Sequence, residues 1–138
     1  MPTLILLVGL PRSGKSTWAK EQMEPIVSPD SIRLALYGGV FCWEAEPMVW
    51  AMARYMVKAL FLSGHDTVIL DACNLTEHRR MDWVCDEWTT VLHLVTTAAD
   101  ECASRAIASG RTSLLPVIAK FDQGKQDPLL DLKEWTYV

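Results

Sequence analysis

The sequence predicts an α/β fold in which helices cover both faces of a parallel sheet of four to five strands. Apolar runs that suit strands alternate with helical patterns along the chain. The first run, Thr3–Val8, is apolar without alternation, which is typical of a strand buried on both faces. The 138 residues, 50% hydrophobic and 22% charged, predict one globular domain over 1–138.

The other predicted elements follow in chain order. Further runs suit strands, at 25–28, Thr67–Leu70, 91–96 and, as an added edge strand, 135–138. Helical patterns cover 15–23, 29–37, 47–62, 77–88, 100–109 and 116–123. The boundaries carry matching signals, because Ser28 and Thr76 are suitable helix N-caps and Gly38 and Gly110 stop helices.

Charge and apolar content exclude several function classes. The net charge of −4 and the pI near 5.3 argue against a broad basic face, so contact with nucleic acid requires a local basic groove. The longest apolar stretch, 4–10, is far shorter than the ~20 residues of a membrane helix. No basic segment precedes it, so we do not expect it to be a signal peptide. The four cysteines form no Cys-x-x-Cys pair. We therefore expect a reduced, cytoplasmic protein that does not contact membranes.

A phosphate-binding motif joins the first strand to the first helix. The segment Gly-Leu-Pro-Arg-Ser-Gly-Lys-Ser at 9–16 matches G-x-x-x-x-G-K-[ST] in full. Glycines allow the backbone to approach a phosphate, the lysine reaches the β- and γ-phosphates, and the following hydroxyl binds Mg²⁺. The motif predicts ATP and Mg²⁺ as cofactors, bound by Gly9, Arg12, Ser13, Gly14, Lys15, Ser16 and Thr17.

The motif at 9–16, a P-loop, specifies a nucleoside triphosphate as the phosphoryl donor but leaves the acceptor open. At 138 residues we expect no room for the switch regions of a typical GTPase or the extra strands of a motor ATPase. A small phosphotransferase remains as the preferred interpretation.

Two carboxylates lie at predicted strand ends, where ligands of parallel sheets bind. Asp30 follows the second strand, and it can accept a proton from an attacking hydroxyl or merely stabilise the first turn of its helix. Arg33, one turn later, can hold Asp30 or an incoming phosphate. Asp71 closes an apolar strand and is expected to orient Mg²⁺, whereas Asn74 has a structural and a catalytic interpretation.

Two arginines follow the fourth strand. Arg105 and Arg111 fall within a predicted lid at about 105–116 that closes over the triphosphate and neutralises charge in the transition state. Taken alone, each is by default an ordinary surface arginine, but the order of elements in this fold favours the lid.

Over 3–123 the chain resembles the kinase domain of phage-type polynucleotide 5′-hydroxyl kinases, within the small P-loop (AAA-type) kinases. The residues that carry this resemblance are 9–18, Asp30 with Arg33, Asp71-x-x-Asn74-Leu75, Arg79-Arg80, and Arg105 followed by Gly110, Arg111 and Pro116. The resemblance implies a three-layer αβα P-loop kinase fold. It also implies that Asp30 is the general base, that Arg33 contacts the acceptor phosphate, and that Arg105 and Arg111 belong to the lid.

The acceptor stays open at this point. A nucleic-acid 5′-hydroxyl (DNA or RNA) is favoured, and the alternatives are a hydroxymethylated base in DNA, a small alcohol or nucleoside, and a non-catalytic switch or toxin module. We expect 41–46 to shape the acceptor pocket. Candidate contributors to a basic groove are Arg33, Arg54, Lys58, Arg79 and Arg80. For Trp43, Trp50, Trp83 and Trp88, packing in the core is the favoured interpretation. Base stacking is the alternative for Trp43 and Trp50.

Overall fold

The computed structural model describes residues 1–39 and 41–138 and contains one sheet of four parallel strands. The strands are β1 (Thr3–Val8), β2 (Ile26–Val27), β3 (Thr67–Leu70) and β4 (Thr89–Leu94), in the spatial order β2-β3-β1-β4. The helices are α1 (Lys15–Glu21), α2 (Pro29–Tyr37), α3 (Glu46–Leu62), α4 (Glu77–Met81), α5 (Ala99–Ala108) and α6 (Leu115–Gly124). The predicted α/β class and parallel sheet are confirmed. No helix in the described parts of the chain is long and apolar enough to cross a membrane.

Burial on both faces of the sheet explains the unbroken apolar run of β1. Leu4 and Leu6 point to the face that α3 covers, where they pack with Val49 and Ala53. Leu7 points to the opposite face and packs against Ala19 of α1 together with Ile69 of β3. Because helices cover both faces of β1, both faces need apolar side chains. A strand with alternating apolar and polar residues would have turned its polar side chains toward a helix.

Both predicted N-caps, and the glycine predicted to stop α2, act as expected. The Ser28 hydroxyl accepts a hydrogen bond from the Ser31 amide at 3.1 Å, and Pro29 occupies the first turn of α2. Gly38 ends α2 with a φ of 68°, a conformation that glycine adopts at little cost. The Thr76 hydroxyl caps α4 in the same way.

The helix predicted through residue 88 is wrong, because α4 ends at Met81. The main-chain carbonyl of Trp83 accepts hydrogen bonds from Trp88 Nε1 at 2.9 Å and from Thr90 Oγ1 at 2.7 Å. Side chains thus satisfy a carbonyl that a continuing helix would have used. Both tryptophans are nonetheless buried, each 2% exposed, so the prediction of core packing holds for them.

The C-terminal segment is anchored by a buried ion pair and not by a full strand. At 135–138 only one parallel bridge forms, between Leu92 and Tyr137, so the predicted fifth strand is wrong for the described residues. Arg80 is fully buried and donates to both carboxylate oxygens of Asp131 at 2.7 and 2.8 Å, and Trp135 Nε1 donates to the same carboxylate. The prediction that Arg80 lines a basic groove is therefore wrong.

Candidate active site

The strand order decides which segments meet at the carboxyl edge of the sheet. Because β3 lies between β2 and β1, Asp71 at the end of β3 separates the Asp30 segment after β2 from the P-loop after β1. The segment after β4, which leads into α5 and Arg105, lies on the other side of the P-loop. The edge therefore presents the predicted acceptor side, the metal side, the phosphate loop and the lid in that order.

The P-loop backbone depends on its two glycines. A Cβ at Gly9 would lie 2.8 Å from the Ser13 hydroxyl and 2.8 Å from the Val95 carbonyl, so no larger residue fits there without displacing backbone. Gly14 has a φ of 103°, which is strained for any residue with a side chain. The Gly9 amide donates to the Cys73 carbonyl at 3.1 Å and ties the loop to the end of β3.

The interior of the loop holds polar groups suited to an anion. Lys15 is only 8% exposed, and its Nζ donates to the Leu10 carbonyl at 2.7 Å, so the loop backbone holds the ammonium in place. The Ser13 hydroxyl is buried and has no hydrogen-bond partner among the described residues. A buried ammonium and an unpartnered hydroxyl in one cradle fit the phosphates of a nucleotide.

Ser16 and Asp71, the predicted metal residues, are in direct contact. The Ser16 hydroxyl donates to Asp71 Oδ2 at 2.6 Å. Hydroxyl and carboxylate oxygens are the hard ligands that Mg²⁺ prefers, and this ion commonly takes one or two carboxylates and completes its shell with phosphates and water. The residue pair fits that pattern. The described residues contain no group of three or more His, Cys, Asp or Glu side chains that could hold a metal by themselves.

On the acceptor side, Arg33 is held between two carboxylates. Its Nη1 donates to Asp30 Oδ1 at 2.7 Å, while Nε and Nη2 form a two-point bond to Glu46 at 2.8 and 2.6 Å. The hydrogen bond from Arg33 lowers the pKa of Glu46 in spite of partial burial, and the bond to Glu46 raises the pKa of Arg33. The Asp30 carboxylate is 91% exposed and thus accessible to a substrate.

Glu46 lies in the segment 41–46 that was expected to shape the acceptor pocket, but sequence reasoning missed its pairing with Arg33. It lies 13 positions after Arg33, beyond the range of helix spacing, and only the packing of α2 against α3 brings the two together. Its place at the start of α3 gives the local reason for an acidic residue, namely the helix dipole, and so conceals the second role.

Cys73 lies where the donor and acceptor sides meet. Burial raises the pKa of its thiol, Lys15 opposes that shift, and the carboxylates of Asp30 and Asp71 reinforce it. Nothing in the local sequence indicated this position.

Asn74 makes the contact that the structural one of its two interpretations predicts. It is 3% exposed, adopts a φ of 48°, and donates from Nδ2 to the Leu7 carbonyl at 2.8 Å. This bond joins the turn after β3 to β1 one residue before that strand ends. Asn74 thereby supports the entry to the P-loop.

The helix after β4 packs against the P-loop through two arginines. Arg105 Nη1 donates to the Arg12 carbonyl at 3.3 Å and lies close to Gly14, and Arg12 Nη2 donates to the Ser109 hydroxyl at 3.0 Å. Arg111 is exposed, and within the described residues its side chain makes no hydrogen bond to the loop. The structure brings Arg12 and Arg105 to the nucleotide side and leaves Arg111 at the surface.

Thr97 and Thr17 complete the surroundings of the loop. The Thr97 hydroxyl, which the sequence analysis did not single out, donates to the Ser13 carbonyl at 2.8 Å and fixes the loop to the end of β4. Thr17, predicted to bind nucleotide, lies exposed in the first turn of α1.

Comparison with protein families decides the relationship of this chain. The AAA domain family AAA_33 matches residues 4–123. The chain belongs to this AAA domain family. No curated protein sequence matches it.

Solved structures show the same fold for this AAA domain. A chain of the Pnkp1/Rnl/Hen1 RNA repair complex is 21% identical, with a TM-score of 0.70, and the match covers 91% of this chain and 46% of that one. In another structure of the Pnkp1/Rnl/Hen1 complex the identity is 30%, the TM-score 0.66 and the coverage 75% and 38%. A gluconokinase from Sinorhizobium meliloti is 17% identical, with a TM-score of 0.57, over 99% of this chain and 82% of that one.

The chain spans less than half of the matched chains from the RNA repair complex. The likenesses show a P-loop kinase-like fold.

Proposed function

We propose that the protein is an ATP- and Mg²⁺-dependent kinase that transfers the γ-phosphoryl group to the 5′-hydroxyl of a nucleic acid. One observation carries the proposal: Asp71 lies between a P-loop and a carboxylate–arginine pair at adjacent strand ends of one sheet edge. A phosphoryl donor and an acceptor need to meet in line, and this arrangement supplies a site for each.

The donor side binds and orients the triphosphate. Lys15 and the Ser13 hydroxyl face the phosphates, with the loop kept in shape by the contacts of Gly9 and Thr97. Ser16 and Asp71 would hold Mg²⁺, which neutralises charge on the β- and γ-phosphates when bound. Arg105, against the loop at Arg12, compensates further charge as the transfer proceeds, and 105–116 forms the lid.

The acceptor side removes a proton. As the acceptor oxygen bonds to the γ-phosphorus and the bond to the β–γ bridging oxygen breaks, the hydroxyl proton passes to Asp30 and ADP leaves. Arg33 orients Asp30 through its 2.7 Å bond, and Glu46 in turn fixes the guanidinium plane. This chain of contacts favours a positioning role for Arg33, beside the phosphate contact implied by the resemblance.

The second candidate is a kinase for a small polyol. Its support is the likeness to a gluconokinase, which extends over 99% of this chain. A non-catalytic switch is disfavoured because it has no use for an exposed carboxylate oriented by a paired arginine.

A panel assay with labelled ATP tests the function and separates the candidates. The acceptors are 5′-hydroxyl DNA and RNA, DNA containing hydroxymethyluracil, nucleosides and gluconate, and Lys15→Ala provides the blank. We expect transfer to the 5′-hydroxyl strands. Transfer to gluconate alone would favour the polyol kinase, and absence of transfer to every acceptor would contradict the kinase proposal.

A further inference from the structure

Aromatic rings and guanidinium groups form a row whose middle member, Arg33, donates a hydrogen bond to Asp30. The rings of Trp43 and Phe41 meet edge to face with centroids 5.1 Å apart. The Arg33 guanidinium lies 5.8 Å from the Phe41 ring centre and 6.0 Å from that of Trp50. The Arg79 guanidinium also stacks on Trp50, 4.0 Å from the centre of its ring. We call these five residues the aromatic–arginine ladder.

The outer end of the ladder exposes aromatic surface to solvent. Trp43 is 76% exposed and Phe41 51%, so the expectation of core packing is wrong for Trp43. Large aromatic rings rarely remain in water without a use, and a cluster of them at a site marks a binding surface. Arg33 connects this surface to Asp30 through one hydrogen bond, so a group stacked there lies next to the proposed base.

The inner end of the ladder opens into a pocket away from Asp30. Its volume is about 310 Å³. Six residues line it, namely Trp50, Ala51, Arg54, Arg79, Asp82 and Trp83. The Arg54 guanidinium lies 5.1 Å from the ring centre of Trp83, so the pattern of cation over ring continues beyond the ladder. A pocket of this size accommodates one small ring or phosphate group.

We infer that the ladder binds a single-stranded nucleic-acid acceptor, with the terminal base stacked on Phe41 and Trp43 and a following nucleotide at the Trp50–Arg79 pocket. This inference rests on the proposed kinase function and adds where the acceptor lies. Aromatic rings stack bases of any sequence, and arginine adds cation–π contacts and bonds to phosphate. A sugar acid held at Asp30 needs only the first part of this surface, whereas an oligonucleotide uses its whole length.

Charges along the ladder predict a binding mode dominated by stacking. Arg33 is bonded to two carboxylates, and Arg79 lies 3.7 Å from Asp82. Since these two guanidinium groups face three carboxylates, the pairs leave no net positive charge on the ladder, and few counterions are released on binding. We therefore expect the affinity to fall only gently with salt, unlike that of a protein with a basic groove.

The first experiment measures binding by fluorescence anisotropy of a 5′-hydroxyl single strand labelled at its 3′ end. Trp43→Leu should weaken binding about tenfold, as expected for the loss of one stacked base. The matched control is Tyr55→Leu, an aromatic residue of α3 that is 71% exposed and outside the ladder, and it should leave the affinity unchanged. Since both side chains are exposed, neither change should unfold the protein, which the thermal midpoint checks.

The second experiment varies acceptor length in the transfer assay. Arg79→Gln should raise the KM of a dinucleotide and of longer strands while leaving the KM of a single nucleoside 3′-phosphate at its parental value. Lys125→Gln, a surface cation paired with Asp122, is the charge control.

The results distinguish failure of the inference from failure of the proposed function. Absence of strand binding, or equal affinity of the parent and Trp43→Leu, would overturn the ladder assignment, even if gluconate is phosphorylated. A KM that does not depend on acceptor length in either the parent or Arg79→Gln would overturn it too. Strand binding that depends on Trp43 without transfer to any acceptor would support the ladder and overturn the kinase proposal.

Discussion

Replacing Asp30 by asparagine separates catalysis by this carboxylate from its structural role. Asparagine keeps the shape of the side chain, and its carbonyl oxygen still accepts the hydrogen bond that Arg33 donates at 2.7 Å. The variant loses negative charge and the ability to accept a proton. Glu46 continues to hold Arg33 from the other side, so the local geometry is retained.

The structure predicts a small effect on stability and a large effect on rate. Asp30 is 91% exposed, and an exposed ion pair contributes about 0–1 kcal/mol. At about 2.1 cal/mol/K per residue, that loss lowers the thermal midpoint of this chain by ~3 °C at most. A general base, by contrast, contributes ~10²–10⁴ in rate, equivalent to roughly 3–5 kcal/mol of barrier.

The assay combines kcat at saturating acceptor, the Kd of ATP from equilibrium titration, and the thermal midpoint. We expect kcat to fall by about two to four orders of magnitude while the Kd of ATP stays nearly constant. The control is Asp122→Asn, since Asp122 forms an exposed pair with Lys125 at the same spacing and the same 2.7 Å distance. A parental kcat would refute the role as base, and a loss of ATP affinity would instead assign Asp30 to the metal shell.

Three further predictions test the nucleotide site, the buried Arg80–Asp131 pair and the Arg33–Glu46 pair. Lys15→Ala should lose most phosphoryl transfer because charge on the β- and γ-phosphates is uncompensated, and turnover within about twofold of the parent would contradict the P-loop assignment. Asp131→Asn should lower the free energy of unfolding by ~3–5 kcal/mol, or the thermal midpoint by about 10–17 °C, because it leaves the fully buried Arg80 unneutralised. A shift of a few degrees would show that the pair is solvated. Since Arg33 lowers the pKa of Glu46 from its usual value, the ionised form stabilises the fold fully above that usual value, and the contribution is lost as the pH falls through the lowered pKa. Urea unfolding should therefore show a stability gap between the parent and Glu46→Gln that closes in acid, and a gap independent of pH would contradict this.

The sequence and the structure predict different salt dependences for binding of the acceptor. The sequence offered five cations as candidate contributors to a local basic groove, for which a steep rise of KM with salt is expected with a DNA or RNA acceptor. In the structure Lys58 pairs with Glu87, Arg79 with Asp82, and Arg80 is buried with Asp131. Because most of these cations already have carboxylate partners, the tertiary structure predicts a shallow dependence.

Local chemistry determined the parts of the site that lie close together in the chain. The P-loop was predictable because its glycines, lysine and serine act within eight consecutive residues, where spacing alone sets the geometry. Asp71 was predictable as a neighbour of the loop, and Asp30 as a residue of the same sheet edge, because parallel strands end at one edge. The helix caps at Ser28 and Thr76 were predictable because they act three residues ahead.

Only the tertiary structure decided how side chains distant in the chain pair with one another. Arg79 and Arg80 are adjacent and identical in type, yet one stacks on Trp50 at the surface and the other is buried with Asp131. Likewise α4 ends at Met81, and beyond it the single carbonyl of Trp83 accepts from the side chains of Trp88 and Thr90 instead of from a continuing helix. A short-range pattern records helix propensity and spacing, whereas burial and ion pairing depend on which surfaces meet after the sheet and its helices have packed.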